Sequence, residues 1–132
     1  MRTQLAFVAT MVLLALTRPL GAHHSFAAEF DAAKPFTLTG AVTKVVWANP
    51  HVWFYIDVVD AETKKVTNWA LEFNSPNALM RAGWKRDTLK LGDVITVEGS
   101  LAKDGSPTGN ARSVMSSTGQ RLFAGSSQDT TP

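Results

Sequence analysis

The sequence predicts an all-β domain with one short helix, and three observations carry that expectation. Alternating apolar and polar residues recur along the chain, most regularly from His51 to Val59. β-Branched and aromatic residues dominate those stretches. Turn residues separate them at Asn49-Pro50, Asp60 to Lys64, Asp104-Gly105 and Gly119. At 132 residues the chain suits one domain, and with no cysteine the fold must rest on its apolar core alone.

Residues 1–22 read as a signal peptide. Arg2 supplies the positive start, LAFVATMVLLAL (5–16) the apolar run, and Leu20-Gly21-Ala22 the small-residue exit. Arg18-Pro19 stops the run well short of the roughly 20 apolar residues a spanning helix needs. Cleavage after Ala22, or alternatively after Gly21, delivers the mature chain to the periplasm with no transmembrane anchor. Of the 13 Lys and Arg, Arg2 and Arg18 lie in this leader, so the remainder balance the 11 Asp and Glu. A neutral exported domain lacks the bulk attraction to phosphate backbones, and nucleic acid is excluded as a partner on that ground.

Residues 23–35 form an N-terminal arm in which Phe26 and Phe30, four apart, can share one helical turn. The domain proper spans 36–125. Its first strand, Thr37 to Trp47, carries an internal glycine, Gly40, the mark of a bulge or sharp bend. The second, His51 to Val59, sets Val52, Phe54, Ile56 and Val58 on one face and His51, Trp53, Tyr55 and Asp57 on the other. The third, Lys65 to Phe73, places Trp69, Leu71 and Phe73 opposite Asn68, Ala70 and Glu72. A short helix follows, with Ser75 as N-cap, Pro76 at its first position and Gly83 at its end. Trp84 is placed to fold back on Leu79. Strands from Val94 to Leu101 and Ala111 to Met115 come next, then a short apolar piece, Leu122 to Ala124. The Ser/Thr/Gln-rich residues 126–132 are expected to be a disordered tail.

The resulting order is β-β-β-α-β-β with a long, bent first strand. That is the order of the OB-fold, a five-stranded barrel with a helix between its third and fourth strands. A six-stranded open barrel or a small sandwich is the alternative. The expected core is Leu38, Val42, Phe54, Ile56, Val58, Trp69, Leu71, Phe73, Leu79, Ile95 and Val97.

The chain contains no GxSxG, P-loop or GxGxxG motif, Glu72 and Glu98 are isolated carboxylates whose spacing does not pair them, and none of the three histidines has an acid at motif spacing. The expectation is therefore a non-enzymatic binding or interaction module. Trp47, Trp53 and Tyr55 are its candidate ligand surface, since exposed strand aromatics in OB-folds stack on planar ligands. A periplasmic protein, a glycan or a small molecule would be the partner. The competing reading has the arm cover this face through Phe26 and Phe30 as a second small core. The alternative function is copper binding. Cleavage after Ala22 exposes the amine and ring of His23 as a chelate, and His24 or His51 would supply a further imidazole in the tetragonal nitrogen set Cu(II) prefers. Cleavage after Gly21 gives instead an Ala22-His23-His24 terminus, another Cu(II) chelate. The competing reading has His23-His24 as a solvated tail and His51 as a half-exposed strand residue.

Four segments carry a resemblance: Ala22-His23-His24-Ser25-Phe26, Gly40-x-Val42-x-x-Val45-x-Trp47-x-Asn49-Pro50-His51, Ser75-Pro76-Asn77-Ala78-Leu79 and Ala111-Arg112-Ser113. In these the chain resembles a family of small exported bacterial proteins of unknown function. The resemblance spans nearly the whole mature chain. It implies export and a single small domain, and it brings no activity with it.

Overall fold

A computed structural model describes residues 26–125. The expected signal peptide, His23, His24 and the expected tail (126–132) lie outside the described residues. The elements are a one-turn helix α1 (Phe26–Glu29), β1 (Phe30–Val46), β2 (Trp53–Val59), β3 (Val66–Glu72), α2 (Pro76–Arg81), β4 (Val94–Ala102), β5 (Thr108–Ser116) and β6 (Arg121–Ala124). The sheet order is β3-β2-β1-β4-β5-β6, and a parallel pairing of β3 with β5 closes the first five strands into a ring. The ring runs β1-β2-β3-β5-β4 and back to β1, the OB-fold order, and β6 extends the sheet from β5 outside it.

β1 makes this closure feasible by serving both halves of the ring. Residues from Phe30 to Ala41 pair with β4, and those from Ala41 to Val46 pair with β2. The handover falls beside Gly40. A Cβ there would lie 2.4 Å from the Asp57 carbonyl oxygen, so only a residue without a side chain lets β1 bend this close to β2. β1 also starts earlier than the sequence indicates. Phe30 and Asp31 already pair with Ala102 and Leu101, and a register shift between Asp31 and Pro35 takes up the proline that has no N–H to donate. The second half of the arm is thus strand, and Phe26 to Glu29 form α1, a second short helix where the sequence indicates one. The Phe26 and Phe30 rings lie 5.6 Å apart, as their spacing of four implies.

The core is the inner face of the ring. Val42, Phe54, Ile56, Leu71, Phe73, Ile95 and Val97 are buried there, and Leu38, Val58 and Trp69 pack against them partly exposed. α2 closes one end. The Ser75 side chain accepts the Ala78 N–H at 3.2 Å, and Pro76 occupies the first turn, where no donor is needed. Gly83, at φ +91°, ends the helix. The Gly83 N–H reaches the Met80 carbonyl and the Trp84 N–H the Leu79 carbonyl, a Schellman ending that turns Trp84 inward. Leu79 and Trp84 join the core, with the Trp84 ring 5.1 Å from Phe73 and its Nε1–H donating to the Leu122 carbonyl. Where β1 pairs with β4, Phe36 lies against Gly99 and Gly109, two inward positions whose missing side chains make room for its ring, with Trp69 6.1 Å away.

Candidate functional site

The outer face of β2 and β3 is built from two cross-strand rows. Register places Lys44, Tyr55, Ala70 and Thr108 side by side on β1, β2, β3 and β5. The neighbouring row is Val46, Trp53, Glu72 and Asn110. Directly opposed residues point to the same side of a sheet, so Trp53 and Tyr55 stand together on this face with Glu72 and Asn110 beside them. Both aromatics are half-buried. The Lys44 ammonium sits 5.2 Å from the Tyr55 ring centroid, a cation–π contact that leaves the other parts of the ring for packing. Further along, Asn68 donates to the Asp57 carboxylate at 2.7 Å and to the Thr43 hydroxyl at 3.0 Å, and this ties β3, β2 and β1 together across the face.

One end of the face carries a buried polar cluster. Glu72 is 6% exposed and Asn110 1%. The Asn110 amide donates to Glu72 Oε1 at 3.2 Å, and His51 Nδ1 lies 3.3 Å from the same oxygen. His51 belongs to the loop between β1 and β2, which is moored to the residues just after β3: the Val52 N–H reaches the Asn74 carbonyl and the Phe73 N–H reaches the Val52 carbonyl. The loop between β4 and β5 is held to α1, with the Lys103 N–H on the Glu29 carbonyl and its ammonium on the Ala27 carbonyl. Two anchored loops therefore flank an aromatic face, with a carboxylate–imidazole pair at its rim.

The sequence-derived candidates are distributed as follows. Trp53 and Tyr55 come together, and His51 stands at the edge of the same face. Trp47 does not join them: it packs against the inner core. Phe30 is buried, 3% exposed, yet lies outside the main core cluster, while Trp53 and Tyr55 stay half-exposed. His23 and His24 lie outside the described residues, and among the described residues no group of three or more His, Asp or Glu is arranged to hold a metal. Glu98 stands on β4 opposite Thr37 and Ser113, apart from Glu72. Glu72 and Asn110 are the site residues that sequence reasoning missed. The alternation of β3 put Glu72 on the outer face, but its contact with Asn110 depends on the parallel closure, which no local pattern announces.

Two solved structures are similar in fold. Both are crystal structures of the mitochondrial single-stranded DNA binding protein Rim1 from S. cerevisiae. One matches with a TM-score of 0.49 at 9% identity, covering 70% of this chain and 96% of that one. The other, selenomethionine-labelled, matches with a TM-score of 0.46 at 7% identity, covering 70% and 97%. They correct one expectation. Neutral charge and an export signal were reasons to exclude nucleic acid, yet the neighbours in fold are single-stranded DNA binding proteins, so the exclusion is withdrawn. Physically, net charge governs the long-range phosphate term and says little about stacking on strand aromatics. No curated protein matches the chain. A family model covers residues 11–112, from within the apolar N-terminal run into β5 as far as Arg112, and the chain belongs to that family, the family of unknown function DUF6152.

Proposed function

We propose that this protein is an exported, non-enzymatic binding module that docks a ring-bearing ligand on the outer face of β2 and β3. The carrying observation is the adjacent pair Trp53 and Tyr55, half-buried between two anchored loops. Such a face offers stacking area with little loss of side-chain entropy, because the sheet already holds both rings. The loops and the His51–Glu72 pair supply hydrogen-bonding groups at its rim. Export is supported by the leader's short apolar run, and the intact mass of periplasmic protein should correspond to a chain starting at His23.

The test is intrinsic tryptophan fluorescence against oligosaccharides, single-stranded oligonucleotides and small aromatic molecules, with a pull-down from periplasmic extract as a second arm. Stacking on one ring is worth about 1–3 kcal/mol, so Trp53→Ala should weaken the ligand found by about 5- to 150-fold. Unchanged binding of every detected ligand by Trp53→Ala would overturn the assignment of this face.

A second reading, copper held by the mature N-terminus with His51, draws support from Glu72. A carboxylate on Nδ1 is the arrangement that orients metal-ligating imidazoles. One extra alanine before His23 destroys the terminal chelate. Copper affinity should then collapse, and His51→Ala should weaken it. Parent-like binding by both variants would exclude this reading.

A further inference from the structure

A groove on another part of the ring has no role in the face described above. It measures about 210 Å³ and is lined by Pro35, Phe36, Thr37, Glu98, Gly99 and Arg112. Its shape follows from two irregularities in strand pairing. On β5, Ala111 pairs with Gly99 and Ser113 with Glu98, so Arg112 is the extra residue of a β-bulge. Bulges re-aim side chains, and this one brings Arg112 into the lining of the groove. On β1, the register shift ahead of Pro35 brings Pro35 and Phe36 into place opposite Ser100 and Gly99. Gly99 lets β5 and the Phe36 ring come this close: a Cβ there would run into the Asn110 carbonyl and meet the Phe36 ring at 2.9 Å.

The charges are the informative part. Glu98 and Arg112 line one small groove, yet neither forms an ion pair with the other or with any further described residue. Opposite charges this close in register would ordinarily pair in solution or in the fold. Here the bulge separates them across a space instead.

We propose that this groove binds a small zwitterion of the α-amino-acid type, its ammonium on Glu98 and its carboxylate on Arg112. The guanidinium fork matches a carboxylate with two parallel hydrogen bonds, and a carboxylate is the natural acceptor for an ammonium. The groove is smaller than the roughly 300–1,000 Å³ of pockets for drug-sized ligands, which fits a ligand of a few heavy atoms. Phe36 and Pro35 provide apolar contact for a short side chain. Both charges are exposed and compete with water, so affinity is on the order of millimolar.

The experiment is an amide chemical-shift titration of the purified protein with L-alanine and L-valine, and with L-alaninamide and L-lactate as analogues that lack the carboxylate and the ammonium respectively. The amino acids should shift the amides of Phe36, Thr37, Gly99 and Arg112 in a saturable way. Each analogue should bind at least about tenfold more weakly, the loss expected for one hydrogen-bonded charge. Arg112→Gln should remove the preference for L-alanine over L-alaninamide, and Glu98→Gln the preference over L-lactate. Both positions are exposed, and unchanged shifts elsewhere confirm that each variant is folded. The proposal is overturned by the absence of saturable shifts at the groove, by equal binding of zwitterion and analogues, or by unaltered preferences in the two folded variants.

Discussion

Replacing Gly40 with alanine tests the geometry that closes the ring. The added Cβ would sit 2.4 Å from the Asp57 carbonyl oxygen, 3.0 Å from its carbon and 3.2 Å from Val58 Cγ2. Real Cβ atoms stay at least 3.0 Å from such neighbours, so β1 and β2 must separate by at least the difference, 0.6 Å (3.0 less 2.4). The obstructing atoms are backbone, not the end of a flexible side chain. The strain therefore spreads to the adjacent pairs, Ala41 with Asp57 on one side and Gly40 with Ile95 on the other. Overpacking of this kind costs about 1–3 kcal/mol, and the immovable neighbour puts Gly40 at the upper end, about 3 kcal/mol. The lower entropy of the unfolded alanine chain offsets up to about 1 kcal/mol, which leaves about 2 kcal/mol. For a domain near 100 residues that is a fall in Tm of about 8–16 °C. Thermal unfolding followed by far-UV circular dichroism reads this directly. Gly105→Ala is the comparator: its φ is +77° but nothing lies within 4 Å, so it carries backbone strain alone, about 1–2 kcal/mol. A Gly40→Ala protein that melts within about 2 °C of the parent would refute the claim that β1 needs this close approach.

Phe54→Ala should cost about 3–5 kcal/mol in urea denaturation, because the ring is fully buried and lies 5.3 Å from Phe73. Asp60 accepts the Thr63 N–H, the Thr63 hydroxyl and the Glu62 N–H in the β2–β3 loop, and these bonds hold its carboxyl below the usual aspartate range. A carboxyl depressed by folding stabilises the fold above its unfolded pKa, and that contribution is lost as pH falls through the folded one. Asp60→Ala should therefore melt lower than the parent at neutral pH, with the gap closing in acid. Asp104 in the β4–β5 loop behaves alike, its carboxyl lowered by the Ser106 hydroxyl and N–H, and Asp104→Ala should show the same closing gap.

What could be read from the residues was whatever is encoded locally. The alternation from Val52 to Val58 identified both faces of β2, and with them the side on which Trp53 and Tyr55 stand. Ser75, Pro76 and Gly83 bracketed α2, and Gly40 marked the bend. Pairings between distant segments had no such signal. β1 reaches back to Phe30 because Ala102 and Leu101 offer it partners, and nothing near Phe30 encodes that. Trp47 was grouped with Trp53 across the Asn49-Pro50 turn, but strand parity does not carry through a turn, and the backbone there delivers Trp47 to the core side. His51 and Glu72 looked like isolated residues because a contact between a loop and a neighbouring strand has no sequence period. Arg112 drew attention only as part of a motif, since a bulge is a property of two strands and not of one.

The parallel seam has a consequence for how the ring breathes. It runs only from Ala70 to Glu72 against Thr108 to Asn110, and it joins segments far apart in the chain, whereas the other ladders of the ring are longer. Short, non-local pairings open first and re-form last. The ring should therefore part at this seam while the β1–β2–β3 meander remains intact. The candidate face straddles the seam, with Trp53 and Tyr55 on one bank and Thr108 and Asn110 on the other. A ligand resting on both banks would act as a clasp, and closure and binding would be thermodynamically linked. The Ala70 amide, bonded to the Pro107 carbonyl across the seam, is the reporter. Its hydrogen exchange should slow on ligand binding by the factor by which the closed ring is favoured, and an exchange rate indifferent to a bound ligand would show that the two banks are not bridged.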